Sequence, residues 1–379
     1  MLAIKNAKAV LEDRILNDAV ILIENKKIVS VGVNTDIPEG SQIIDAEGLY
    51  VGPGFVDIHV HGGNGSMFYA DPIGAAEHFL SHGETTVLAT LYYDLSKEEL
   101  LDSVKRIKSA MKDACSIKGI YMEGPYMNPK YGASPEKNKW RGEIKEENYK
   151  ELVDESKDIA FVWAIAPERE GIENFLRYVK KVSPNVMISV GHSEATPAQI
   201  KALKKYGIGL QTHCMNATGR PPCSLGTRSC GPDEACLMDK DMYAEIICDS
   251  EGIHVPPDLI ELVLTVKGSD RIVLISDSFV SDEISPRELE HITDLSLDAG
   301  GNLSGSKLTL DVACKNLIKH TGCSIPEAFL MASRNPARVI GLDDEIGSIE
   351  SGKRADLVFV DHNFNVKEIM LEGQFWKGK

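Results

Sequence analysis

Two histidines, His59 and His61, are separated by one residue in the apolar stretch GFVDIHVHGG. Side chains two residues apart in a β-strand point to the same side, so both imidazoles are predicted to face one side of a sheet. Two neighbouring neutral imidazoles can bind a divalent metal ion, or they can be hydrogen-bonded histidines that fill a pocket. The short motif alone leaves both interpretations open.

Further metal-capable side chains close other apolar stretches. The motifs YMEGP, SVGHSEAT, LQTHCMNA and VLISDS place these residues at the predicted ends of separate strands: Glu123, His192, His213 and Asp277. With His59 and His61, this gives six candidate ligands at the ends of five strands. A cluster of His and carboxylate groups is the strong signal for a metal site, provided that the fold brings the strand ends together.

The order of predicted elements supplies such a fold. Eight apolar strands alternate with helical segments such as Lys97–Lys112 and Pro257–Val266; the strands are Phe55–His61, Thr85–Leu91, Ile117–Glu123, Phe161–Ala166, Val186–His192, Ile208–His213, Glu245–Asp249 and Ile272–Asp277. Alternating strands and helices predict an α/β fold, a (β/α)₈ TIM-type barrel whose strand ends meet at one face. The alternative, an open doubly wound sheet, lacks a G-x-G-x-x-G motif after the first strand.

Both ends of the chain differ from this central part. Residues 1–50 and the C-terminal stretch contain short alternating strands with turn signals. We therefore expect a small β-sandwich domain built from both termini, 1–51 and 346–379, and a barrel domain over 52–345.

Composition limits the class of protein. The 379 residues are 43% hydrophobic and 26% charged, which is typical of a globular chain. A formal net charge of −16 argues against nucleic-acid or anionic-membrane partners. Eight cysteines without a C-x-x-C pair, and lysines in the N-terminal segment, predict a cytoplasmic protein with reduced thiols.

The motifs resemble a known family. PGFVDIHVHGG, MEGPYMNP, VGHSEAT, THCMNA, ISDS, GNLSGSKLTLD and GSIESGKRADLVFVD are similar to those of the amidohydrolase superfamily, and within it of the N-acetylglucosamine-6-phosphate deacetylases. The resemblance implies a hydrolase of N-acetyl sugar phosphates that binds one metal, expected to be zinc, through Glu123, His192 and His213. A second ion would use His59 and His61, with Glu123 as the bridging carboxylate.

The implied chemistry is amide hydrolysis. A bound divalent metal lowers the pKa of its water to about 7 in favourable cases and polarises the carbonyl. Asp277 is the candidate base that accepts the water proton and passes it to the departing amine; its alternative role is that of a metal ligand. Histidine and carboxylate ligands also accept iron, manganese or cobalt.

The resemblance also implies a phosphosugar site, but with departures. Ser134 stands where the family carries a histidine, so sugar recognition there differs. The expected phosphate donors are the backbone N–H groups of Asn216 and Ala217, together with His254 and an arginine. Arg220 is nearer the motif, but Arg228 has the better spacing to His254 and is therefore the expected phosphate donor. A ligand supplied by a partner subunit would require a homodimer.

Two other functions remain open from the sequence. A deaminase-like amidohydrolase would also use H-x-H but needs a catalytic glutamate, for which only Glu194 lies near His192. A barrel that has lost its chemistry and serves as an interaction protein is the non-enzymatic alternative.

Overall fold

The computed structural model describes residues 1–133, 135–223, 227–281, 289, 291–298 and 300–378. The chain begins with five strands that belong to a terminal sheet: β1 (Leu2–Val10), β2 (Ile15–Glu24), β3 (Lys27–Val33), β4 (Gln42–Asp45) and β5 (Tyr50–Pro53). A barrel and a short hairpin follow, with strands β6 (Phe55–Val60), β7 (Gly62–Gly63), β8 (Ser66–Met67), β9 (Glu84–Tyr92), β10 (Ile117–Glu123), β11 (Ala160–Ile165), β12 (Met187–Val190), β13 (Ile208–Gln211), β14 (Tyr243–Ile247) and β15 (Ile272–Ile275).

Helices cover the outside of the barrel, and strands return at the end of the chain. The helices are α1 (Pro72–Leu80), α2 (Lys97–Ala110), α3 (Glu146–Ser156), α4 (Ile172–Val182), α5 (Pro197–Leu203), α6 (Pro232–Met238), α7 (Pro257–Lys267), α8 (Leu310–Thr321), α9 (Ile325–Phe329) and α10 (Asn335–Val339). The remaining strands are β16 (Leu295–Leu297), β17 (Leu303–Ser306), β18 (Leu357–Val360), β19 (Val366–Leu371) and β20 (Gln374–Phe375).

The predicted barrel is confirmed. Strands β6 and β9 to β15 form one parallel eight-stranded sheet. Its two edges are joined just beyond β15, where the Asp277 N–H donates to the His59 carbonyl at 2.9 Å and the His61 N–H donates to the Ser278 carbonyl at 2.9 Å. The strands are almost wholly buried because helices cover the sheet outside and side chains fill it inside.

Three barrel strands end two residues before the metal-capable residue that was predicted to close them: β12 before His192, β13 before His213 and β15 before Asp277. These residues have φ angles of 44°, 26° and 47°, in the left-handed region that ends a strand. The chain therefore turns at each of them, and strained backbone of this kind is characteristic of functional sites.

The terminal sheet confirms the second part of the predicted fold. Its strand order is β20-β19-β18-β5-β1-β2-β3, with β4 also paired to β1, so that both chain ends contribute. The sheet encloses its own core, which includes Ile4, Ile21, Phe359 and Met370. The domain boundaries at 51/52 and 345/346 stay a prediction.

An aromatic cluster joins the terminal sheet to the barrel. Phe329 packs between Phe55 and Phe364, with ring centroids 5.4 and 5.3 Å away. Gly52 allows this close approach, since a Cβ there would lie 2.2 Å from the Phe329 ring. None of the helices in the described ranges is both long enough and apolar enough for a membrane span.

Replacing Phe329 with alanine should lower the free energy of unfolding by about 3–5 kcal/mol, because a large buried ring leaves a cavity at this junction. The melting temperature, measured by calorimetry, checks this. Val33→Ala is the control, since Val33 is 50% exposed on the terminal sheet. Equal melting temperatures for the two variants would contradict this role of the cluster.

Candidate metal centre and active-site cavity

The carboxylate of Glu123, at the end of β10, is the centre of the site. Its Oε1 atom lies 2.7 Å from His192 Nε2 and 3.3 Å from His213 Nε2. The two histidine nitrogens are themselves 3.2 Å apart. All three side chains are buried and can offer ligand atoms to one ion.

A second group adjoins the first through the same carboxylate. His61 Nε2 lies 3.4 Å from Glu123 Oε2, and His59 Nε2 lies 3.8 Å from Glu123 Oε1. Both histidines are buried, and with Glu123 they form a second set of possible metal ligands. Glu123 therefore faces both groups, as a bridging carboxylate would.

Asp277 lies beside the second group. Its Oδ1 atom is 3.2 Å from His61 Nε2 and 3.6 Å from His59 Nε2. Burial acts to raise the pKa of Asp277, but the neighbouring His59 and His61 hold that pKa below its ordinary value. An ionised Asp277 can accept a proton or serve as a ligand, so its position suits both of the roles that the sequence left open.

The hydrogen bonds of two histidines prepare them for a metal. His59 Nδ1 lies 3.0 Å from Glu245 Oε2, and His213 Nδ1 lies 3.1 Å from the Asn216 carbonyl. Both acceptors take a proton from Nδ1, which leaves the Nε2 lone pair free for a cation. Among the described residues, His59 Nε2 has no hydrogen-bond partner although it is buried. The donor set therefore fits a divalent metal.

The charge of Glu123 also fits a divalent metal. Burial acts to raise the pKa of its carboxyl group, but His192, His213, His59 and His61 lower it well below the ordinary value. The group therefore remains an anion despite being buried, as a metal ligand must.

The site opens into a cavity of about 900 Å³. Asn216, Ala217 and His254 line it together with five metal-capable residues: His61, Glu123, His192, His213 and Asp277. The Asn216 amide donates to the His254 carbonyl at 2.9 Å, so these two predicted substrate residues are held together. The His254 ring is also fixed: Nδ1 lies 3.0 Å from Asp249 Oδ2, and Nε2 lies 3.0 Å from the Gly305 carbonyl.

The two candidate arginines are not brought into this cavity. Arg228 is 76% exposed, and its guanidinium lies 3.5 Å from Glu234. Arg220 lies 2.6 Å from the same carboxylate, and both arginines fall outside the described lining of the cavity. Ser134 lies outside the described residues.

Sequence analysis missed the carboxylates that hold two of the site histidines. Glu245 and Asp249 accept hydrogen bonds from the rings of His59 and His254. One signal was available, because Glu245 is the single charged residue in the strand YAEII and is fully buried. A carboxylate in a buried strand requires a partner.

Comparison with known proteins agrees with this geometry. The model of the amidohydrolase family matches residues 50–375. An N-acetylgalactosamine-6-phosphate deacetylase of Escherichia coli O157:H7 is 33% identical, over 85% of this chain and 86% of that protein. An N-acetylglucosamine-6-phosphate deacetylase of Haemophilus influenzae is 30% identical, over 96% of each chain.

A solved structure extends the comparison. It is that of the N-acetyl-D-glucosamine-6-phosphate deacetylase of Mycobacterium smegmatis, an aspartate-to-alanine mutant in complex with N-acetyl-D-glucosamine-6-phosphate. The two chains are 26% identical with a TM-score of 0.83, over 99% of this chain and 98% of the other. Membership of the amidohydrolases implies a divalent metal at the His and Glu groups described above. The chain belongs to the amidohydrolase family and, within it, to the N-acetylglucosamine-6-phosphate deacetylase family.

Proposed function

We propose that the protein is a metal-dependent deacetylase of amino-sugar catabolism. It hydrolyses the acetamide of an N-acetyl amino-sugar 6-phosphate, converting N-acetylglucosamine-6-phosphate and water to glucosamine-6-phosphate and acetate. The observation that carries the proposal is the convergence of four histidines on Glu123, with Asp277 beside them, next to a cavity that three of these histidines line. The names of the relatives support the substrate class.

The metal is proposed to be zinc, with one or two ions per subunit. Glu123, His192 and His213 would hold the first ion, and Glu123, His59 and His61 the second. When bound, such a metal acidifies water and polarises the carbonyl that is to be cleaved.

Asp277 is proposed to move the proton. Its ionised carboxylate can accept a proton from the attacking water and then deliver it to the nitrogen of the departing amine. The bond between the carbonyl carbon and the nitrogen breaks as the water oxygen bonds to that carbon. The products are acetate and the free amine.

The phosphate is proposed to be bound across a homodimer. Asn216 and Ala217 line the cavity, with the Asn216 N–H donating to the His213 carbonyl at 2.9 Å, whereas Arg228 projects from its own subunit's surface. In a dimer, Arg228 would enter the partner's cavity and supply the positive charge that a phosphate requires. Exposed apolar residues on the helices that follow Arg228 support an interface there: Met238, Leu262 and Val266 are 64%, 43% and 50% exposed.

The amino sugar itself is the point to test first. The E. coli relative is named for N-acetylgalactosamine-6-phosphate and the H. influenzae relative for N-acetylglucosamine-6-phosphate. Acetate release should therefore be measured with both sugars, phosphorylated and unphosphorylated. Acetate from at least one 6-phosphate is expected, whereas none from either would overturn the proposal.

The deaminase alternative finds less support. Glu194 is held by Lys130 and by the Tyr131 hydroxyl, which lies 2.9 Å from its carboxylate. It falls outside the described lining of the cavity, so it is poorly placed to act on a substrate. Ammonia release would identify a deaminase, and a protein without metal that zinc does not activate would indicate a scaffold. The cytoplasmic location stays a prediction.

Replacing His213 with alanine should remove the tightly bound metal and nearly all activity, because its Nε2 is a proposed ligand of the first ion. His59→Ala should weaken only a second ion. Elemental analysis of the purified variants checks both, with His362→Ala, at an exposed position, as the control. Wild-type metal content in His213→Ala would overturn the assignment.

Asp277→Asn should reduce kcat by at least about 100-fold, because asparagine keeps the size of the side chain but cannot accept a proton. Steady-state kinetics check this, and circular dichroism should show that the variant is folded. A variant that keeps most of its kcat would leave Asp277 with a structural role only.

Arg228→Ala should raise KM for the 6-phosphosugar roughly 10- to 100-fold, since a charge-assisted hydrogen bond contributes about 1.5–3 kcal/mol. Turnover of the unphosphorylated N-acetyl sugar should barely change. Arg220→Ala tests the alternative arginine, and Arg177→Ala, 63% exposed on α4, is the control. Equal losses on both substrates would refute a phosphate contact.

A further inference from the structure

We propose that Glu245 is a positioning residue of the second metal position. Its carboxylate holds His59 with Nδ1 protonated and Nε2 directed towards Glu123 and Asp277. This inference rests on the proposed function, because it concerns the metal centre on which that function depends. It gives strand β14 a role in the metal centre, although none of the six metal-capable residues at the strand ends belongs to this strand.

The contacts of one oxygen atom carry the inference. Glu245 Oε2 lies 3.0 Å from His59 Nδ1 and accepts the backbone N–H of His213 at 3.2 Å. The carboxylate is fully buried. One atom therefore connects a ligand of the second position to the backbone that carries a ligand of the first.

Other contacts hold the same imidazole. The Tyr121 ring stacks on His59 with a centroid distance of 4.4 Å and an interplanar angle of 26°. Asp57 Oδ1 accepts the His59 backbone N–H at 3.0 Å. Neither contact selects which ring nitrogen carries the proton, since neither involves one. Glu245 therefore determines which nitrogen of the His59 ring is protonated.

A purely structural role for this carboxylate is less consistent with its surroundings. Strand β14 is otherwise buried and apolar apart from the partly exposed Tyr243, and within the described residues Glu245 Oε1 has no hydrogen-bond partner. A buried charge costs more than an apolar side chain of similar volume unless it has partners. An anion that accepts from a ligand histidine raises the basicity of the opposite nitrogen, and this strengthens metal binding.

The two positions differ in a way that makes the inference specific. The His213 imidazole donates through Nδ1 to the Asn216 carbonyl, so its tautomer does not depend on Glu245. Glu245 contacts only the backbone of His213. Loss of the charge should therefore weaken the second ion much more than the first.

The test is a cobalt titration of metal-depleted enzyme, followed by absorption and by elemental analysis. Glu245→Gln should weaken the second binding step by about 10- to 100-fold, the usual effect of removing such a partner. The first step should remain within about threefold of wild type. In a His59→Ala background, Glu245→Gln should have no further effect, because its target is gone.

A matched control is Glu84→Gln. Glu84 is also fully buried in the barrel, but its Oε1 accepts the backbone N–H of Leu310 and not a proton from a histidine ring. This variant should leave both binding steps unchanged. Equal weakening of both steps by Glu245→Gln, an unchanged second step, or an additive effect with His59→Ala would overturn the inference.

A measurement on the wild-type protein tests the inference even if Glu245→Gln does not fold. In the zinc-loaded enzyme with ¹⁵N-labelled histidine, the His59 signal, assigned by its loss in His59→Ala, should show a protonated Nδ1. A protonated Nε2 would overturn the inference. If active wild-type enzyme showed a single metal-binding step, the inference would be overturned but the proposed function would stand. If the wild type had neither bound metal nor activity, the proposed function itself would be wrong.

Discussion

The site depends on one buried anion shared by four imidazoles. Glu123 is only 5% exposed, so water can compensate little of its charge and the histidines around it must do so. Without a cation, four nitrogens and two carboxylates would crowd together within a few ångströms of one another. A bound metal resolves this crowding, because it accepts the nitrogen lone pairs and neutralises the carboxylates at the same time. The barrel is the scaffold that forces these groups together.

Backbone conformation completes that scaffold. His192, His213 and Asp277 all adopt left-handed φ angles just after their strands, and a hydrogen bond from Asp277 to the His59 carbonyl closes the barrel. The residue that supplies the proposed base is therefore also the residue that joins the last strand to the first. Strain at these three positions is tolerated because the surrounding strands are fully buried.

The sequence predicted the cluster of metal-capable side chains better than it predicted the residues around that cluster. Period-two spacing at His59 and His61, and polar residues at strand ends, are local signals, so the barrel and the metal-capable set could be predicted. The support of His59 by Glu245 could not, because it joins residues 186 positions apart across the barrel interior. Nor could the exposed position of Arg228, since its place depends on the loop between β13 and α6.

Acetate release measured against metal occupancy tests the central claim most directly. Metal-depleted enzyme should be inactive towards an N-acetyl amino-sugar 6-phosphate, and activity should rise in proportion as zinc fills the site at Glu123, His192 and His213. Full activity in protein from which all metal has been removed would contradict the account.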